Sequence, residues 1–269
     1  MTDNRWLRSL VQHNVRQAER SGNTVLAAQM RTQVASLRPL RYRQKVRPVY
    51  RTLAPRGVRS SRDMMVVPRP VIGLDLDGTL GDFHRHFLTF AEGYLQRQVR
   101  WHWDGTEPFW RMLGVSKRTY REVKLAYRQG GLKRSMPLIP GAKDLVNGLR
   151  REGAEVWLCT TRPYLRLDNI DPDTRFWLRH HRLGYDGVLF GERKYRDLAL
   201  MVGCTRVLGI LDDLPEMVDS ANANNLNGTL IERTYNRHTD LPSVPSLSAA
   251  SLMFHGLITT WRKENNVRP

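Results

Sequence analysis

Asp75 and Asp77 stand two residues apart at the end of an apolar run, Val71-Ile72-Gly73-Leu74, and Gly78-Thr79 follow at once. A run this short, closed by a turn signal, predicts a buried parallel strand. Side chains alternate along a strand, so both carboxylates leave its end on the same side. Two carboxylates so placed repel each other unless a cation or a proton resolves the conflict. Three later apolar runs also end in polar groups. Glu155–Thr160 runs into Thr161, Gly187–Phe190 precedes Lys194, and 207–211 leads into Asp212-Asp213. Strand ends are where open parallel sheets bind ligands. Carboxylates, hydroxyls and one amine meeting there describe a metal-dependent site that handles an anion.

The elements that must position these groups alternate, strand then helix, which predicts an α/β fold: a parallel, Rossmann-like sheet with right-handed crossovers and helices on both faces. After the helix at 215–224, Gly228–Ile231 reads as a fifth strand. Between the first and second strands lies a helical, aromatic-rich insert at about 82–137. Its first helix, 82–97, carries Phe83, Phe87, Phe90 and Leu95, and a loop with Trp101, Trp103, Phe109 and Trp110 follows. Ser116 opens another helix, which Gly130-Gly131 ends. Pro140-Gly141 starts the helix before the second strand. After that strand, Asp168, Asp171 and Asp173 read as a polar loop ahead of a helix with Phe176, Trp177 and Leu178. His84 and His86, at i,i+2, do not share a helical face and read as surface or packing residues. A core at 70–240 is expected, closed by a segment at 241–269 whose helix, 246–263, buries Leu252, Met253, Leu257, Ile258 and Trp261.

The formal net charge is +17, and residues 1–70 carry 15 Lys/Arg against Asp3, Glu19 and Asp63, a net +12. Residues 1–37 show two apolar helical stripes broken at Gly22-Asn23, the pattern of a helical hairpin. Residues 38–69 are an Arg-rich arm broken by Pro39, Pro48, Pro55 and Gly57. Two readings stay open for the arm: contact with nucleic acid or another polyanion, or a solvated linker. An organelle transit segment fits the composition less well, because of the hairpin pattern. An apolar fraction of 41% supports a real core. No stretch approaches the roughly 18 apolar residues of a membrane span. Cys159 and Cys204 make neither a disulfide nor a metal framework, so a reducing, cytoplasmic setting is expected.

The order DLDGT, then a strand ending in Thr, then Lys, then a strand ending in Asp-Asp resembles the haloacid dehalogenase superfamily. Over 71–235, the stretches DLDGTLGDF, PFW, PGA and CTTRP look like the 5'(3')-deoxyribonucleotidases. The resemblance implies that Asp75 is the nucleophile and that Asp77 moves the proton. It implies Mg²⁺ on Asp75, the Asp77 carbonyl and one of Asp212 and Asp213, with Asp213 favoured. Thr160, Thr161 and Lys194 would hold phosphate oxygens, and Phe83, Phe109 and Trp110 would line a nucleobase pocket under a helical cap. A further family aromatic falls near Gly131-Leu132-Lys133, where this chain has none.

The bland readings stand beside these. Aspartates form turns after strands, Arg193 could take the place of Lys194, Asp212 could cap the next helix, and Phe109 and Trp110 could be plain cap core. The expected activity is a Mg²⁺-dependent phosphomonoesterase acting on (deoxy)nucleoside monophosphates through an aspartyl phosphate. The rivals are a phosphatase for the phosphorylated ends of DNA or RNA and a non-catalytic scaffold tethered to nucleic acid. No G-x-x-x-x-G-K-[ST] segment exists, which excludes a fused P-loop kinase.

Overall fold

The computed structural model describes residues 69–163 and 167–267, together with Ala28. The expected hairpin at 1–37 and nearly all of the arm at 38–69 lie outside the described residues. Six strands form one parallel sheet in the order β3-β2-β1-β4-β5-β6. They are β1 (Val71–Leu74), β2 (Glu155–Thr160), β3 (Gly187–Phe190), β4 (Val207–Asp212), β5 (Gly228–Ile231) and β6 (Ser243–Val244). The chain winds outward from β1 in one direction and from β4 in the other, so the strand order reverses between them. That reversal opens a crevice beyond the carboxyl ends of β1 and β4.

Alternation along β1 sorts its side chains between two cores. Ile72 and Leu74 join Leu145 and Leu149 of α4 (Ala142–Arg151) and Phe254 and Ile258 of α8 (Leu247–Glu264). Val71 faces the other side with Leu198 and Val202 of α6 (Lys194–Val202) and Ala221 of α7 (Pro215–Asn222). Both faces of the sheet are covered, as a parallel sheet requires.

The cap inserted after β1 comprises α1 (Phe83–Leu95), the short α2 (Phe109–Met112), α3 (Lys117–Gln129) and a 3₁₀ turn at Leu132–Ser135. The Ser116 hydroxyl accepts from the Thr119 amide and caps α3. The segments leading into and out of the insert meet in a single antiparallel bridge, Asp82 N donating to Pro137 O and Ile139 N to Leu80 O. These bonds tie both ends of the cap to the turn that follows Asp77. No helix among the described residues is long and apolar enough to cross a membrane.

Two expectations change. The polar stretch at 168–173 is not all loop, because α5 (Ile170–His180) begins inside it and takes Asp171 and Asp173 into its first turn. Acidic side chains favour that position, since they face the positive end of the helix dipole. On α8 the buried stripe is Leu247, Ala250, Phe254 and Ile258, while Leu252 is 75% exposed. The i, i+3, i+7 spacing from Leu247 selects Phe254, and Leu252 falls off that face. Phe254→Ala should therefore cost about 3–5 kcal/mol of stability, and Leu252→Ala within about 0.5 kcal/mol. Urea unfolding of the two variants checks this; similar losses would mean that α8 packs through another face.

Candidate active site

β1 runs straight into the crevice. Asp75 N donates to Leu211 O at 2.9 Å, which extends the β1–β4 ladder by one residue and sets Asp75 beside the end of β4. There Asp75, Asp212 and Asp213, all buried, bring one carboxylate oxygen each within 4.8 Å of the others. Lys194, the first residue of α6 and also buried, enters from the next crossover. Its Nζ donates to Asp75 Oδ1 at 2.5 Å, to Asp212 Oδ2 at 2.6 Å and to Cys159 O at 3.3 Å. Arg193 is exposed, so of the two neighbouring cations it is Lys194 that reaches the crevice.

Asp212 is fully engaged by the protein. Lys194 and the Tyr195 hydroxyl share its Oδ2, and the Leu214 amide donates to its Oδ1 at 2.9 Å ahead of α7. Asp213 accepts from the hydroxyls of Thr79 at 3.2 Å and Tyr235 at 2.7 Å. Gly78 has φ +108°, and a Cβ there would lie 2.2 Å from Asp213 Oδ2, so only glycine lets this turn lie against the carboxylate. Arg233 fastens the same turn, donating through Nε to Gly78 O at 2.8 Å and through a terminal nitrogen to Thr79 O at 3.2 Å.

The electrostatics follow from burial. Burial is the largest influence on Asp75 and, with the charges of Asp212 and Asp213, raises its pKa against the pull of Lys194. Asp213 is pushed up to about 7 by burial and by Asp212. Burial works against the charged form of Lys194, but Asp212 and Asp75 outweigh it and raise its pKa. Lys194 bonds two of the three buried carboxylates, and the repulsion among all three is part of what raises Asp75 and Asp213. The all-oxygen donor set of the cluster fits a hard divalent cation.

Asp77 has different company. Burial would raise its pKa, yet Arg162 and Lys133 overcome this and hold it far below the usual carboxylate range. Arg162 grips both oxygens, Nε on Oδ2 at 3.0 Å and a terminal nitrogen on Oδ1 at 2.6 Å. Lys133, from the cap's 3₁₀ turn, donates to Oδ2 as well. Neither partner was singled out by sequence reasoning. Arg162 follows Thr160-Thr161 directly, where the Arg-Pro pair reads as a strand-ending turn. Lys133 belongs to the stretch Gly131-Leu132-Lys133, near which an aromatic was expected.

The remaining expected residues fall as follows. Thr160 is buried at the end of β2, whereas Thr161 is exposed. Phe83 is buried beneath Lys133, its ring centroid 3.9 Å from the ammonium. Phe109 packs in the cap against Phe87, Trp103 and His84. Trp110 is half-buried under the guanidinium of Arg111. A cavity of about 340 Å³ lies beside this turn, lined by Gly78, His84, Trp101, Arg233 and Tyr235 among others, and the carboxylate cluster is not in its wall.

Residues 69–253 match the family described as 5' nucleotidase, deoxy (pyrimidine), cytosolic type C protein. The chain belongs to this family. It is a hydrolase, a phosphatase of the haloacid dehalogenase type. Over 178 residues it is 26% identical to a candidate 5'(3')-deoxyribonucleotidase of Chlorobaculum tepidum, a match that covers 63% of this chain and 82% of that protein. Among solved structures it resembles a predicted phosphatase from Clostridium acetobutylicum, with a TM-score of 0.50 at 15% identity, covering 70% of this chain and 100% of the other. That second similarity speaks to the fold.

Of the two histidines of α1, His86 is buried packing and His84 borders the cavity. His84 lies among Trp103, Phe109 and Tyr235. His86 is bonded through Nδ1 to the Tyr127 hydroxyl at 2.7 Å. Burial first, then Lys133, lowers the pKa of His86 to about 4. A folded-state pKa below the unfolded value of about 6.5 means that the unfolded chain takes up the proton first as pH falls. Stability is then lost between about pH 6.5 and 4, by up to roughly 3 kcal/mol from this residue. His86→Gln should flatten the fall of the urea midpoint across that window, and an unchanged slope would show that His86 protonates without cost.

Proposed function

We infer that the chain hydrolyses (deoxy)nucleoside monophosphates in two steps through a phosphoaspartate on Asp75. The observation that carries this reading is the buried group of Asp75, Asp212 and Asp213 facing Lys194 at the switch point of a nucleotidase-family chain.

Lys194 takes Oδ1 of Asp75, which leaves Oδ2 to attack phosphorus. The new bond is Asp75 Oδ2–P, and the bond that breaks joins phosphorus to the nucleoside oxygen. That oxygen leaves with a proton from Asp77. In the second step water gives its proton to Asp77 and attacks phosphorus. The Asp75–phosphorus bond breaks, releasing phosphate and restoring the carboxylate. Since Arg162 and Lys133 hold Asp77 as a bare carboxylate in the free protein, substrate oxygens must draw these cations away before Asp77 can carry a proton.

Mg²⁺ fits the oxygen donors and would be held by Asp75, the Asp77 carbonyl and Asp213, where it supplies charge neutralisation for an anionic nucleophile meeting an anionic phosphate. Asp212, with its oxygens occupied by Lys194, Tyr195 and Leu214, orients Lys194 instead of adding a full ligand. Lys194 and the hydroxyls and amides of Thr160 and Thr161 hold the phosphoryl oxygens as charge develops. Phe83, with Phe109 and Trp110 in the cap, forms the nucleobase side.

Phosphate release from nucleoside monophosphates should require a divalent cation, vanish with a chelator and return with Mg²⁺. Asp75→Asn should lower turnover by at least about a thousandfold with the circular-dichroism spectrum intact. Turnover retained in that variant would eliminate Asp75 as the nucleophile.

A further inference from the structure

Tyr235 stands in the loop after β5 and serves two neighbours at once. Its hydroxyl donates to Asp213 Oδ2 at 2.7 Å. Its ring stacks on Trp103, in the cap loop between α1 and α2, with centroids 4.4 Å apart and planes at 21°. The same ring meets His84 of α1 at 4.7 Å. One core residue thus touches the buried carboxylate cluster at its tip and the cap along its face.

The contact with the cap is close. Gly105 has φ +87°, and a Cβ there would lie 1.7 Å from Tyr235 O, so a side chain at this position would push the two loops apart. The cap loop is braced around that point. Trp103 Nε1 donates to Glu107 O at 2.7 Å, and Asp104 Oδ1 accepts from the Thr106 amide at 3.0 Å and its hydroxyl at 2.7 Å. On the core side, Asn236 Nδ2 donates to Asp213 O and to Ile231 O, each at 2.8 Å. Asn236 therefore ties the loop to the backbone of Asp213. The carboxylate itself is held, among the described residues, by two hydroxyls, and the contact from Thr79 is the longer at 3.2 Å. Phenylalanine would serve for ring packing alone. The tyrosine hydroxyl is what carries the cap's contact through to the cluster.

We propose that Tyr235 is a positioning residue for the cation site, and that the cap loop bearing Trp103 and Gly105 orients Asp213 through it. The proposal rests on the nucleotidase reading in taking Asp213 as a cation ligand. A ligating carboxylate held by an outer hydrogen bond has its orientation fixed before binding, and loss of such a partner weakens the site. Cap seating and cation affinity then share one contact. A cap that lifts Trp103 off Tyr235 loosens Asp213, and by linkage the seated cap is favoured whenever Asp213 is held on a cation.

The test is equilibrium binding of Mn²⁺, standing in for Mg²⁺, to the full chain without nucleotide, read from the electron paramagnetic resonance signal of the free ion. Tyr235→Phe keeps the ring and removes the hydroxyl, and should weaken binding about tenfold or more with the circular-dichroism spectrum intact. Trp103→Leu removes the stack and should weaken binding about fivefold, whereas Trp103→Phe, which keeps an aromatic face, should retain most of the affinity. In the Tyr235→Phe background Trp103→Leu should cost nothing further, because its effect travels through the missing hydroxyl. In steady state Tyr235→Phe should raise the Mg²⁺ concentration needed for half-maximal phosphate release and leave the nucleotide KM at saturating Mg²⁺ unchanged. Wild-type affinity in Tyr235→Phe, or losses that simply add in the double variant, would overturn the proposal and leave the nucleotidase reading in place. Absence of Mn²⁺ binding by the wild-type chain would overturn it together with the cation-dependent mechanism. Should the affinities behave as expected while the wild-type chain releases no phosphate from any nucleotide, the nucleotidase reading falls and the assignment of Tyr235 stands.

Discussion

The buried ammonium of Lys194 is the contact on which the rest of the site depends. It lies between Asp75 and Asp212, at the ends of two neighbouring strands, and none of the three side chains is more than 6% exposed. Without a cation there, Asp75, Asp212 and Asp213 would face one another in a medium where like charges repel far more strongly than in water. A buried pair of this kind adds little net stability, because desolvation cancels much of the attraction. Its value is positional. Lys194 holds one oxygen of Asp75 and leaves the other, and it keeps β1 and β4 in register where they carry their charges.

Around that fixed centre the molecule separates two tasks. The strand ends supply groups whose positions are set by the sheet: Asp75, Thr160, Asp212 and Asp213. The cap and the loops beyond the strands supply groups that reach in from outside it: Lys133 and Arg162 to Asp77, Arg233 to the turn at Gly78, and Tyr235 to Asp213. The turn at Gly78 lies between them. It accepts Arg233, it lies against Asp213, and through the bonds between Leu80 and Ile139 and between Asp82 and Pro137 it carries both ends of the cap. A displacement of the cap is thereby felt at the residues following Asp77, and movement of Lys133 alters the charge that Asp77 sees.

The sheet was legible because each strand is a short apolar run closed by a turn signal, and β2, β3 and β5 occupy the residues read from the chain. Errors arose where two patterns overlap. Asp171 and Asp173 suit a loop and the first turn of a helix equally well, and the surrounding fold selects the helix. Leu252 and Phe254 are both apolar, and only the face that α8 turns toward β4 and α4 distinguishes them. The two-residue β6 carries no periodicity to read and exists because β5 offers it an edge.

Sequence alone determined which groups gather at the sheet's edge. Strand alternation is a local rule, and the order of the strand ends brings Asp75, Thr160, Lys194 and the Asp212-Asp213 pair toward the same crevice. Tertiary structure alone decided how charge is apportioned among them. Lys133 lies 56 residues from Asp77 along the chain and Arg162 lies 85, in elements whose own patterns say nothing of a carboxylate. Their meeting depends on how the cap folds back over the core. That follows from the burial of rings such as Phe83, Phe87 and Tyr127, which pack by shape and area and have no spacing rule to announce it.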